Sequence, residues 1–130
     1  MKRNILFCLF AVVFFGLNAC KKESATDTGI RINFINKTGG TIEGAVADNV
    51  GIGHLANNAQ TGFIRFAQFR KDTGFPDCDF TGMLNADSLK STSVFYWCGT
   101  EKSLLEPGEY HIEIGLQTMG AKKYFHLLFR

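Results

Sequence analysis

Residues 110–129 read YHIEIGLQTMGAKKYFHLLF. Tyr110, Ile112, Ile114 and Leu116 recur at every second position, and His111 and Glu113 fall between them. Successive side chains of a strand point to opposite faces, so this period of two describes a strand with one buried face. Met119-Gly120-Ala121-Lys122 interrupts the pattern as a turn, and Lys123 to Phe129 forms a second strand behind it. Just upstream, Glu106-Pro107-Gly108-Glu109 is a tight turn, because proline presets φ and glycine accepts positive φ. The C-terminal quarter therefore reads as a turn feeding a β-hairpin.

The same grammar extends towards the N-terminus. Ile30, Ile32 and Phe34 alternate with Arg31 and Asn33, and Lys37 to Gly40 forms a turn. Thr41 to Asp48 is a strand with Ile42 and Val46 on one face. Gly51 to Thr61, rich in Gly, Asn and Ala, reads as a connection. Phe63 to Arg70 alternates again, and Lys71 to Asp77 is a loop. Cys78, Phe80, Gly82 and Leu84 line one face of a further strand. Asn85 to Ser91 is a loop or a single helical turn, and Thr92 to Cys98 is β-branched and aromatic. No stretch keeps a helical stripe for ten residues, which argues against a parallel sheet with crossover helices. The expectation is an all-β chain: an antiparallel β-sandwich of about seven strands with immunoglobulin-like topology. A small β-barrel is the alternative.

The first residues carry a different message. Lys2 and Arg3 precede thirteen uncharged residues, Ile5 to Leu17. As a helix that run covers about 20 Å, short of a ~30 Å hydrocarbon core, so it suits a secretory signal better than a span. Leu17-Asn18-Ala19-Cys20 resembles the lipobox of bacterial lipoproteins. The resemblance implies cleavage between Ala19 and Cys20, a diacylglycerol on the Cys20 thiol, and a fatty acyl group such as palmitate on the new amine. An ordinary signal cleaved near Ala19 is the plainer alternative. Residues 1–19 are then a signal peptide, 20–29 the lipidated cysteine with a polar tether, and 30–130 one domain. The CKKES start at 20–24 is similar to lipoproteins of the Bacteroidota, which implies the outer membrane and leaves periplasmic and surface faces both open.

Removing Lys2 and Arg3 leaves twelve basic residues against twelve acidic ones. A neutral domain has no electrostatic footprint for nucleic acid. The Lys122-Lys123 doublet reads as a solvated turn. Cys8 leaves with the signal and Cys20 goes to lipid, so Cys78 and Cys98 remain, and two cysteines in a small exported domain pair by default. Closing that loop is worth roughly 3 kcal/mol in chain entropy. Neither Cys-x-x-Cys nor His-x-x-x-His spacing supports a metal site with His54, His111 or His126.

Asp72-Thr73-Gly74 matches the triplet of aspartic proteases and is equally an ordinary turn. Asp72, Asp77 and Asp79 crowd one region in a way that suits Ca²⁺ or plain solvation. His111 and His126 are expected to face each other across the last hairpin. No Gly-x-Ser-x-Gly elbow or phosphate loop occurs, so no catalytic residue and no cofactor is assigned. Phe63, Phe69, Phe95, Trp97, Phe125 and Phe129 form either an exposed aromatic strip or part of the core. Asp87-Ser88-Leu89 resembles the O-glycosylation motif of Bacteroidota secreted proteins, which implies a glycan on Ser88.

CGTEKSLLEPGEYHIEIGL, residues 98–116, and IRINFINKTGGTIEG, residues 30–44, are similar to segments of uncharacterised small β-sandwich lipoproteins of the same group. That resemblance implies fold and location and no activity. The functional expectation is a non-enzymatic, membrane-anchored binding or accessory module with a protein or glycan partner. The alternative is an inhibitor of an envelope hydrolase such as lysozyme, inserting Lys71–Asp77 into a foreign active site.

Overall fold

The computed structural model describes residues 29–91 and 102–130. The signal, Cys20, the tether up to residue 28, Phe95, Trp97 and Cys98 lie outside the described residues. Eleven strands and no helix occur among the described residues: β1 (Ile30–Asn36), β2 (Ile42–Ala47), β3 (Val50–Leu55), β4 (Gln60–Phe66), β5 (Arg70–Asp72), β6 (Phe75–Asp77), β7 (Phe80–Leu84), β8 (Asp87–Lys90), β9 (Ser103–Leu104), β10 (Gly108–Met119) and β11 (Lys122–Phe129).

They form two four-stranded sheets, ordered β11-β10-β1-β4 and β3-β2-β7-β8, and a small third sheet ordered β6-β5-β9. The two larger sheets face each other over one core. Phe34 of β1 meets Phe80 of β7 with ring centroids 5.9 Å apart, and Phe80 meets Phe125 of β11 edge-on at 5.1 Å. Ile32, Ile112 and Ile114 from one sheet and Ile42, Ala45 and Leu84 from the other complete the interior. The third sheet is fixed by Phe69, which packs on Phe66 at 5.3 Å and accepts a hydrogen bond from the Leu105 N–H at 2.8 Å.

The sandwich expectation holds, and the barrel alternative does not, because the sheets do not close. At one corner the link is an isolated bridge, Ser91 to Phe125. The described residues hold eleven strands rather than about seven, and one pairing is parallel rather than antiparallel. β1 lies inside its sheet, antiparallel to β4 and parallel to β10, with Ile30 opposite Gly108 and Asn36 opposite Ile114. Parallel strands cannot be joined by a tight turn and need a long connection, which here runs from β1 to β10 through β2–β9.

Several local expectations are corrected. Gly51 to Thr61 is not a connection: it holds β3 and the start of β4. Lys71 to Asp77 is mostly the β5–β6 hairpin, and Asn85 to Ser91 contains β8 rather than a helical turn. Val46 does not share the Ile42 face. The β2 register shifts around Gly44, which sits at φ +58°, so Ala45 and Ala47 turn inward instead. This is a β-bulge, and the extra residue flips the alternation beyond it. Phe69 and Phe125 are core residues, 1% and 0% exposed, whereas Phe63 stays 44% exposed on the outer face.

The β1–β2 turn is held by Asn36, whose side chain is fully buried. Its Nδ2 donates to the carbonyls of Gly40 and Leu55 at 2.8 Å and to Ala56 at 3.2 Å. Its Oδ1 accepts from the Thr38 N–H at 2.9 Å and the Thr38 hydroxyl at 2.7 Å. One amide thus ties together the 37–40 turn, the end of β3 and the 56–59 loop at the rim of the core, adding to the bonds that the Gly40 and Ala56 carbonyls accept from the Thr38 hydroxyl and the Ala59 N–H.

Candidate functional site

At the corner pinned by the Ser91–Phe125 bridge, β8 and β11 run in the same direction but form no ladder beyond that bridge. The space between them is a groove of about 680 Å³. Thr81, Asp87, Ser88, Leu89 and Lys90 line one wall, and Ala121, Lys122, Lys123 and Tyr124 the other. Tight two-residue turns position both walls. Asn85-Ala86, with φ of +53° and +68°, reverses β7 into β8, and Gly120-Ala121 reverses β10 into β11. Thr81 stands opposite Lys90 and Met83 opposite Ser88 in the β7–β8 ladder. Three lysines, a threonine, a serine, a tyrosine and one aspartate therefore border a volume within the usual range of ligand sites, with successive residues of each strand reaching it from opposite faces.

Sequence reasoning missed most of this site. Lys90, Thr81 and Tyr124 carry no motif, and Lys122-Lys123, exposed directly after the Gly120-Ala121 turn, also border the groove. Ser88 does lie here, exposed on β8, two residues past the turn.

The other candidates resolve to structural duties. Thr73-Gly74 of the Asp-Thr-Gly triplet is the turn of the β5–β6 hairpin, at φ +47° and +86°. The three crowded aspartates have different neighbours. Asp77 pairs with Arg70 at 3.4 Å and Lys102 at 3.2 Å, the Asp79 N–H donates to Asp48 Oδ1 at 2.9 Å, and Asp72 stands at the hairpin opposite Phe75. Among the described residues, no group of three His, Cys, Asp or Glu side chains is arranged to hold a metal ion.

His111 and His126 do not face each other. His126 is opposite Gly115 and its ring lies 6.4 Å from Phe75, whereas His111 meets Phe63 at 5.3 Å. His54 does form a carboxylate pair, its Nδ1 lying 2.9 Å from Glu43 Oε2 on the outer face of the second sheet. Among the described residues, Glu43 is the side chain that His54 pairs with. Met83 occupies the position next to Glu43, and Ser88 lies one strand further, about 10 Å from Glu43.

Cys78 is 7% exposed and its thiol is free. Its expected partner Cys98 lies outside the described residues. Burial pushes the Cys78 thiol far above the ordinary thiol range, and the Asp48 and Asp79 carboxylates push the same way. Such a thiol stays protonated and is a poor nucleophile.

Comparison with protein-family models, curated proteins and solved structures finds no match to this chain.

Proposed function

We propose that the chain is a non-enzymatic lipoprotein, anchored through acylated Cys20 to the outer membrane, whose sandwich presents the β8–β11 groove to a partner. The observation that carries this reading is the separation of the two ends of the sandwich. Gly29, where the tether would join, hydrogen-bonds through its carbonyl to the Gly108 N–H at the start of β10, while the groove wall 121–124 follows the far end of that strand. Twelve residues of β10 span roughly 35–40 Å. A tether of residues 21–29 reaches roughly 15–20 Å on average. An anchor at Cys20 thus holds one end near the headgroups and presents the groove on the other.

Acylation supplies stable attachment because two or more chains hold where one does not. In the oxidising envelope Cys78 pairs with Cys98. The Ser91 hydroxyl donates to the Cys78 carbonyl at 2.7 Å, so the chain leaves the described residues beside Cys78, and seven further residues are enough to return.

Mass spectrometry of the protein purified from its native membrane tests the anchor. The expected species begins at Cys20 and carries diacylglycerol and an amide-linked fatty acid, and Cys20→Ala releases the protein from the membrane fraction. A native chain that begins at Met1, or a Cys20 without lipid, overturns the proposal.

A further inference from the structure

We infer that the groove between β8 and β11 binds an acidic oligosaccharide, an inference that rests on reading this groove as the contact site. The first ground is charge. Elsewhere among the described residues most cationic side chains meet an acceptor, and the exception, Lys71, stands by itself on the β5–β6 hairpin. Arg31 meets Glu109 at 2.7 Å, Arg130 meets Glu113 at 2.8 Å, Arg70 and Lys102 share Asp77, and Lys37 donates to Asn58 Oδ1 at 3.2 Å. Lys90, Lys122 and Lys123 differ: among the described residues no carboxylate lies within 4.0 Å of any of the three amino groups. They meet in one concavity, with Asp87 as the opposing charge there. A concave site of one dominant sign on a neutral domain concentrates ligands of the opposite sign.

The second ground is the rest of the lining. A groove of about 680 Å³ is much larger than a lone phosphate needs. Beside the ammonium groups stand the hydroxyls of Thr81 and Ser88, the half-buried ring of Tyr124 and the methyl groups of Leu89. Hydroxyls that both donate and accept suit a polyol. A phenol ring offers an apolar face with a polar tip, as a sugar ring does. Lysine is a mobile point charge that accepts carboxylate or phosphate without a fixed fork, so either acid group fits. The set does not resemble a nucleic-acid surface, which needs a long basic track.

The test uses the protein as purified from its native source, in detergent whatever its lipid content, and four probes: trigalacturonate, phosphorylated maltotriose, neutral maltotriose and inorganic phosphate, each titrated by calorimetry. The two acidic trisaccharides are expected to bind at least tenfold more tightly than neutral maltotriose, and to weaken at least tenfold between 20 and 500 mM salt, roughly as exposed charge pairs do. Comparing these two separates carboxylate from phosphate as the source of charge. The combined variant Lys90→Gln, Lys122→Gln, Lys123→Gln is expected to lose at least tenfold in affinity at an unchanged melting temperature.

Equal affinity for neutral and acidic trisaccharides removes the charge argument. Inorganic phosphate binding as tightly as the phosphorylated sugar reduces the site to an anion site and overturns the inference. Acidic sugar binding that survives the triple variant shows that the groove is not the contact site. Absence of binding by every probe overturns the ligand class. None of these outcomes depends on the lipid analysis, so failure here and failure of the anchor are read separately.

Discussion

Replacing Asn36 with alanine should be among the most damaging small changes in this domain. The side chain is 0% exposed, and its amide and carbonyl make five hydrogen bonds between 2.7 and 3.2 Å. Two N–H protons serve the three carbonyls, so the set amounts to about four full bonds. At a net contribution of about 1 kcal/mol each, their loss costs about 4 kcal/mol. Water reaching the partly buried Gly40 and Thr38 ends, and the donors that the Gly40 and Ala56 carbonyls keep, return some of this, whereas the bond to the Leu55 carbonyl is lost in a buried place. The expected net cost is about 3 kcal/mol, a large fraction of the ~5–15 kcal/mol of a normal domain.

Urea unfolding followed by circular dichroism should show a lower midpoint at an unchanged slope, since the sandwich itself is intact. Asn36→Asp sharpens the test. An ionised carboxylate there faces the carbonyl oxygens of Gly40, Leu55 and Ala56, which the amide satisfied as donor. Its folded pKa must rise above the unfolded value of about 3.9. The stability is then fully present below about pH 4 and is lost as pH rises through the folded pKa. Asn36→Asp should therefore approach the wild type at pH 4 and fall away by pH 7. A cost below about 1 kcal/mol for Asn36→Ala, or an Asn36→Asp variant no worse at pH 7 than at pH 4, would refute the role assigned to this amide.

Phe80 touches both Phe34 and Phe125 across the interface, so Phe80→Ala should cost about 3–5 kcal/mol in the same assay. Gly82→Ala places a Cβ 2.7 Å from Ile42 Cγ2, inside a packed core, and should cost about 1–3 kcal/mol by the same measurement. The Cys78 thiol keeps its proton in the folded state well after an unfolded thiol loses its own near pH 8.5. Stability is thus full below that pH, and reduced wild-type protein should lose up to about 1.4 kcal/mol per pH unit more than Cys78→Ala as pH rises further. Thermal melts of reduced protein from pH 8 to 10.5 read this difference, and an equal slope in the two proteins refutes it. Oxidation that joins Cys78 to Cys98 should abolish the difference, and peptide mapping of native protein checks the pairing.

Sequence alone determined the strands that make the core. Ile30, Ile32 and Phe34, then Cys78, Phe80, Gly82 and Leu84, then Ile112 and Ile114 all lie on the buried faces that their alternation assigns. It could do so because a strand's period is a local property, set by how one residue follows the next. The hairpin at 119–122 was legible for the same reason, as its turn lies within four residues. Tertiary structure decided what depends on residues distant in the chain. The parallel pairing of β1 with β10 joins strands more than seventy residues apart, which no turn specifies. The bulge at Gly44 moved Val46 off its expected face through its partners in β3 and β7. Asn36 looks like one more polar turn residue until the 56–59 loop closes over it. The groove exists only because packing brings Lys90 beside Lys122 and Lys123, charges that in the sequence are thirty residues apart and belong to different hairpins.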